Sequence, residues 1–154
     1  MTKLICDVLA ALAGKTLVTA ESCTGGGIGS AVTAIPGSSA VYKGGVICYT
    51  NWVKEHILGV DPEMLERCGA VSAPVAQAMV SGVRRLLQAD LAVSVTGLAG
   101  PGGDEYNNPV GTVYIGFESE DHSLVKAYHF SGDRESVRKQ AVESAMKLIL
   151  DNVC

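Results

Sequence analysis

Thr16-Leu17-Val18-Thr19-Ala20-Glu21-Ser22-Cys23-Thr24-Gly25-Gly26-Gly27-Ile28-Gly29-Ser30-Ala31-Val32 decides the fold class. Thr16 to Ala20 reads as a short β-branched strand. Glu21 to Thr24 leads into a glycine-rich loop that opens a helix ending before Pro36-Gly37. A strand feeding a helix through glycines is a unit of α/β proteins, where ligands bind outside the carboxyl ends of strands. Ser22 stands at that position.

Working outward, the same alternation continues. The spacing of Leu4, Val8 and Leu12 predicts an amphipathic helix over Thr2 to Ala13, stopped at Gly14 in a left-handed conformation. Lys3 with the Leu4–Leu12 stretch and Ala11-Leu12-Ala13 imitates a secretory leader, but Asp7 breaks the apolar run. Val41 to Tyr49 reads as a buried strand, Asn51 to Leu58 as a helix stopped by Gly59. Asp61-Pro62 opens another helix with Asp as N-cap. Ser72 to Leu87 is a helix capped by Ser72, with Val75, Met79, Val83 and Leu86 or Leu87 on one face. Leu91 to Val95 is a strand running into Thr96-Gly97-Leu98-Ala99-Gly100-Pro101-Gly102-Gly103. Val110 to Phe117 and Leu124 to Phe130 pair as strands, and Gly132-Asp133 caps a final helix to about Asn152 with Val137, Ala141, Met146 and Ile149 in the core. The expectation is one three-layer α/β/α domain over residues 1–154 with a mixed sheet.

Composition agrees. At 154 residues, 47% hydrophobic and 18% charged, the chain is globular. Eighteen glycines exceed the usual share of about 7% without any collagen-like period. A net charge of −4 argues against a general nucleic-acid or membrane binder. Five scattered cysteines, never in a C-x-x-C pair, argue for a reducing cytoplasm over a disulfide scaffold. No apolar run approaches the ~18 residues of a membrane span.

Several chemical templates fail. Gly25 to Gly29 does not complete G-x-G-x-x-G, no P-loop is present, and Ser22 lacks the G-x-S-x-G frame. His56, His122 and His129 have no metal-ligand spacing, so no metal is expected. A serine–histidine triad therefore has no histidine, and a nucleophilic Ser22 would need a lysine or tyrosine as base. Tyr49, Asn51 and Lys54 supply such a set at one strand end, with partial burial lowering the lysine pKa. Thr24, Gly25 and Gly26 could bring backbone N–H groups close, although Ser22 and Thr24 could equally just cap the helix. Thr96, Gly97, Gly100 and Gly102 could present bare backbone to a phosphate or ribose, or form a tight turn. Arg134 and Arg138 suit an anion site, or ion pairs with Asp133 or Glu135. Cys23 is a rival nucleophile whose side chain should face away from that of Ser22.

Taken jointly, Ala20-Glu21-Ser22-Cys23-Thr24-Gly25-Gly26, Tyr49-Thr50-Asn51 with Lys54 before Leu58-Gly59-Val60, Thr96 to Gly103, Pro109-Val110-Gly111-Thr112-Val113-Tyr114 and Gly132-Asp133-Arg134 resemble the CinA carboxy-terminal domain family. That family contains the nicotinamide-nucleotide amidases (NMN deamidases), and the chain is similar to the stand-alone form. The resemblance implies a bacterial hydrolase of pyridine-nucleotide salvage that converts nicotinamide mononucleotide to nicotinate mononucleotide and ammonia. It implies Ser22 as nucleophile, Lys54 and Tyr49 as activating partners, no cofactor, and a homodimer. A non-catalytic nucleotide-binding or regulatory module of the same fold is the alternative.

Overall fold

The computed structural model describes residues 1–153. In chain order it contains α1 (Thr2–Ala11), β1 (Leu17–Glu21), α2 (Gly27–Thr33), a 3-10 turn (Ser38–Ala40), β2 (Tyr42–Ile47), α3 (Asn51–His56), α4 (Pro62–Cys68), α5 (Ala73–Leu87), β3 (Leu91–Gly97), β4 (Thr112–Glu118), β5 (Ser123–His129) and α6 (Arg134–Val153). One five-stranded sheet has the order β2-β1-β3-β4-β5. β1 pairs in parallel with β2 and β3, whereas β3–β4 and β4–β5 are antiparallel. The expected α/β class with a mixed sheet and helices on both faces is what forms.

Side-chain alternation along the strands divides the core in two. Leu17, Leu91, Val93, Val95, Val113, Ile115 and Phe117 pack with α1, α2 and α6. Val18, Ala20 and Ala92 face the other way, toward Val75, Met79 and Val83 of α5 and toward Leu58, Val60 and Leu65. Ser94 lies on this second face, where its hydroxyl donates to Ala76 O at 2.7 Å and so satisfies a buried polar group.

Some elements differ from expectation. β2 is not a buried strand: it stops at Ile47 and its residues alternate between half-buried and exposed, because it is an edge strand with one neighbour. Ser72 is the N-cap of α5, but its hydroxyl donates to Gly69 O rather than capping. Leu86 is exposed and Leu87 takes the packing position. α1 is two residues shorter than the pattern suggests, and Gly14 does adopt a positive φ of 85°. Among the described residues no helix is long and apolar enough to cross a membrane.

The topology dictates where a ligand can sit. From β1 the chain crosses to β2 on one side and later returns to β3 on the other. The carboxyl ends of β1 and β3 therefore border a crevice at the point where connections diverge. Ser22 follows β1 and Thr96-Gly97 end β3.

Candidate active site

A cleft of about 460 Å³ opens at that crevice. Ser22, Tyr49, Asn51, Lys54, Thr96, Gly97, Gly100, Gly102 and Arg134 line it, which brings nine of the expected site residues together. Ser22 N–H donates to Val95 O at 2.9 Å, extending the β1–β3 ladder by one residue. Alternation then turns Ser22 to the face that holds Lys54 and turns Cys23 into the opposite core.

Among the described residues Lys54 is one of the largest fully buried side chains, only 1% exposed. α3 carries it, with Thr50 as N-cap accepting from Val53 N–H. Its Nζ donates to Ser22 Oγ at 2.9 Å and to Cys48 O at 2.7 Å. Among the described residues no carboxylate forms an ion pair with it. Burial disfavours the ammonium form and pushes the Lys54 pKa below its ordinary value of 10.5. A lysine whose ammonium form is disfavoured by burial, 2.9 Å from a serine hydroxyl, is placed to exchange a proton with that hydroxyl. Cys23, by contrast, is pushed up to about 11 by burial, so it carries little thiolate and is a poor rival nucleophile.

Tyr49 is exposed and its hydroxyl accepts from Arg134 Nη2 at 3.1 Å. Among the described residues no hydrogen bond joins Tyr49 to Ser22 or Lys54. Arg134, at the start of α6, also donates to Gly100 O at 2.7 Å and so ties the glycine loop to the β2–α3 corner. It pairs with neither Asp133 nor Glu135, the latter lying near Lys139. Thr96 gives its hydroxyl to Ala70 O at 2.8 Å, which closes the cleft wall formed by Ala70 and Val71. Gly97 is required by a neighbour: a Cβ there would stand 2.6 Å from Val113 Cγ2. At Gly102 and Gly103 a Cβ would meet nothing within 4 Å, so packing does not demand glycine at either.

Four expected residues lie outside the cleft. Thr24 gives its hydroxyl to Glu21 Oε1, Gly25 N–H donates to Ser22 O, and Gly26 is the N-cap of α2 with φ 98° beside Ile47. Arg138 donates from Nε to Cys23 O at 3.0 Å and from Nη2 to Thr24 O at 3.2 Å, behind the Ser22 turn. Neither Ser22 nor Thr24 caps α2. That role falls to Glu21, 2% exposed, whose carboxylate accepts from Ile28 N–H at 2.7 Å and Gly29 N–H at 3.0 Å. Sequence reasoning passed over Glu21 because it precedes the helix by six residues, outside any capping spacing. Ala70 and Val71 carried no signal either.

Among the described residues no carboxylate lines the cleft, whose lining holds two basic side chains, Arg134 and the buried Lys54. In a chain of net charge −4 this makes a locally basic pocket. Among the described residues no group of three His, Cys, Asp or Glu side chains is placed to hold a metal ion.

The sequence profile of the CinA C-terminal domain matches residues 1–153. The chain belongs to that family. It is 49% identical over 138 residues to a CinA-like protein of Thermosynechococcus vestitus, covering 88% of this chain and 33% of that protein. A CinA-like protein of Thermotoga neapolitana is 45% identical over 133 residues, covering 86% of this chain and 32% of its own length. The chain thus spans about a third of the length of these relatives. Among solved structures, a CinA superfamily protein of Klebsiella pneumoniae superposes with TM-score 0.96 at 36% identity, over 99% of this chain and 96% of that one. A CinA superfamily protein of Escherichia coli gives 0.91 at 35% identity, over 98% and 87%. The CinA domain here therefore has close relatives both as a whole chain and as part of a longer one.

Proposed function

We propose that this CinA domain is a serine amidase that hydrolyses the carboxamide of nicotinamide mononucleotide, giving nicotinate mononucleotide and ammonia. The observation that carries this reading is the 2.9 Å hydrogen bond from buried Lys54 Nζ to Ser22 Oγ at the floor of the cleft. Neutral Lys54 takes the Ser22 proton as Oγ bonds to the carboxamide carbon and the C=O electron pair moves onto oxygen. Collapse of that intermediate breaks the C–N bond, and Lys54 returns the proton to the departing nitrogen as ammonia. Water, activated by the same lysine, then hydrolyses the acyl-Ser22 ester. Every step uses protein side chains, with no cofactor.

The substrate class is supported by the pocket's chemistry. A volume of about 460 Å³ suits a mononucleotide. Arg134 at one wall, with no carboxylate among the described lining residues, favours an anionic molecule whose phosphate meets Arg134 while its amide reaches Ser22. Tyr49, held by Arg134, belongs in this reading to the phosphate end more than to proton transfer. The same proposal places the enzyme in the cytoplasm as a homodimer. Exposed Ile47, Tyr49, Trp52 and Ile57 on and beside the β2 edge are the surface that supports self-association.

Ammonia release from nicotinamide mononucleotide under chelation, in the native chain and in Ser22→Ala, tests the reading. Release by the native chain alone is the expected result. Binding of the nucleotide without release by either protein would replace the enzyme with a binding module, and equal release would dismiss Ser22.

A further inference from the structure

Ser22, Cys23 and Thr24 form a buried turn, exposed by 7%, 5% and 1%. Its carbonyls are all engaged: Ser22 O by Gly25 N–H, Cys23 O by Arg138 Nε, and Thr24 O by both Gly27 N–H and Arg138 Nη2. Ser22 N–H is bonded to Val95 O. Cys23 N–H has no acceptor among the described residues. More than about 90% of buried backbone N–H groups are paired, so an unpaired one beside a nucleophile asks for an acceptor that arrives with the ligand. Thr24 N–H is also without an acceptor, but Thr24 lies outside the cleft, whereas Cys23 lines it. The Cys23 side chain packs in the core of the opposite face, so its main chain is what the cleft meets. In a planar trans peptide the N–H points opposite to the preceding C=O. Since Ser22 O turns toward Gly25, Cys23 N–H turns out of that turn.

From this we infer that the Cys23 main-chain N–H is the oxyanion donor of the site and that Arg138 is the residue that holds it in position. The inference rests on the amidase reading above. When Ser22 Oγ bonds to the carboxamide carbon, the substrate oxygen gains the electron pair and accepts from Cys23 N–H. When the C–N bond breaks, the carbonyl re-forms and the hydrogen bond weakens. A donor on the residue after the nucleophile meets the oxygen where its charge develops. Arg138 touches no reacting atom. It is a positioning residue, acting through Cys23 O and Thr24 O, and it has no carboxylate partner among the described residues.

Arg138→Ala tests this with the full chain. Moving an oxyanion donor lowers kcat by about 10- to 100-fold while KM stays within about twofold. The loss is equal for the nucleotide and its phosphate-free riboside, and millimolar guanidinium restores part of it. Arg138→Lys keeps the charge and stem but lacks the two-bond fork, so it loses nearly as much. An unchanged kcat, a loss that guanidinium does not relieve, or a KM increase confined to the phosphorylated substrate would overturn the assignment. Phosphonylation of Ser22 by a fluorophosphonate, which also develops a charged oxygen, separates this inference from the substrate reading. Slower labelling in Arg138→Ala, even in a protein that releases no ammonia, upholds the donor and removes only the substrate. Labelling that ignores Arg138 removes the donor.

Discussion

Replacing Lys54 by Met removes the amine while keeping a flexible apolar stem of similar length. Lys54 Nζ sits 2.9 Å from Ser22 Oγ and 2.7 Å from Cys48 O, so the variant loses both the base and its anchor. General acid–base groups contribute about 10²- to 10⁴-fold. Lys54 serves both the attack and the departure of ammonia, so the upper half of that range applies, about 4 to 5.5 kcal/mol of barrier at 1.36 per decade. Ser22 and Lys54 act as one unit, so the Ser22→Ala, Lys54→Met double variant is no slower than Ser22→Ala alone. Initial rates of ammonia release from nicotinamide mononucleotide across pH complete the assay. Because burial lowers the Lys54 pKa, native kcat/KM rises with pH as the amine loses its proton and levels off below the ordinary lysine value of 10.5. The variant has no such limb. Stability follows the same titration: between the lowered folded pKa and the unfolded value, the unfolded chain binds more protons, so stability rises with pH across that window. Lys54→Met flattens that slope. Retention of more than about a tenth of native activity, too much for loss of the general base, would refute the reasoning. So would a native profile that falls as pH rises toward 10.5.

Two further outcomes follow from the site's supports. Arg134→Ala raises KM for the nucleotide by about 10- to 100-fold, the range for a charge-assisted contact, and leaves the riboside nearly unaffected, read from parallel saturation curves. Glu21→Gln keeps the shape of a buried side chain but sets an amide where three donors now meet a carboxylate. It destabilises by about 1 to 3 kcal/mol, which thermal unfolding reports as a fall of roughly 3 to 10 °C in Tm.

The parts of this protein legible in the sequence are those governed by local periodicity. Ser22 could be placed at a strand end because a β-branched run precedes it and a glycine run follows it. Lys54 could be named because it follows the next strand by a few residues. The fact that matters more, that Lys54 is 1% exposed, depends on α3 bringing it against Ser22 beyond the end of β1, 32 residues away in sequence, a long-range event that no window of residues encodes. β2 was misread for a similar reason. Val46, Ile47 and Tyr49 have the composition of an interior strand, yet sheet order makes β2 an edge. Glu21 stands outside any capping spacing, and only the return of α2 over it turns it into a buried anchor.

Arg134 and Arg138 show how far one helix face can mislead. Four residues apart near the start of α6, they point the same way along the helix, and the sequence suits both to one anion site or to ion pairs with Asp133 or Glu135. One turn of helix is about 5.4 Å, enough to set them against different parts of the Ser22 surroundings. Arg134 reaches over the cleft to Gly100 O and Tyr49, while Arg138 reaches beneath it to Cys23 O and Thr24 O. The first is free to exchange Tyr49 for a substrate oxygen at little loss, because Tyr49 is exposed and water can take its place. The second cannot let go without leaving Cys23 O of a buried turn without its donor, Thr24 O keeping Gly27 N–H. Their chemistry is the same, and their surroundings assign one to the ligand and the other to the backbone that faces it.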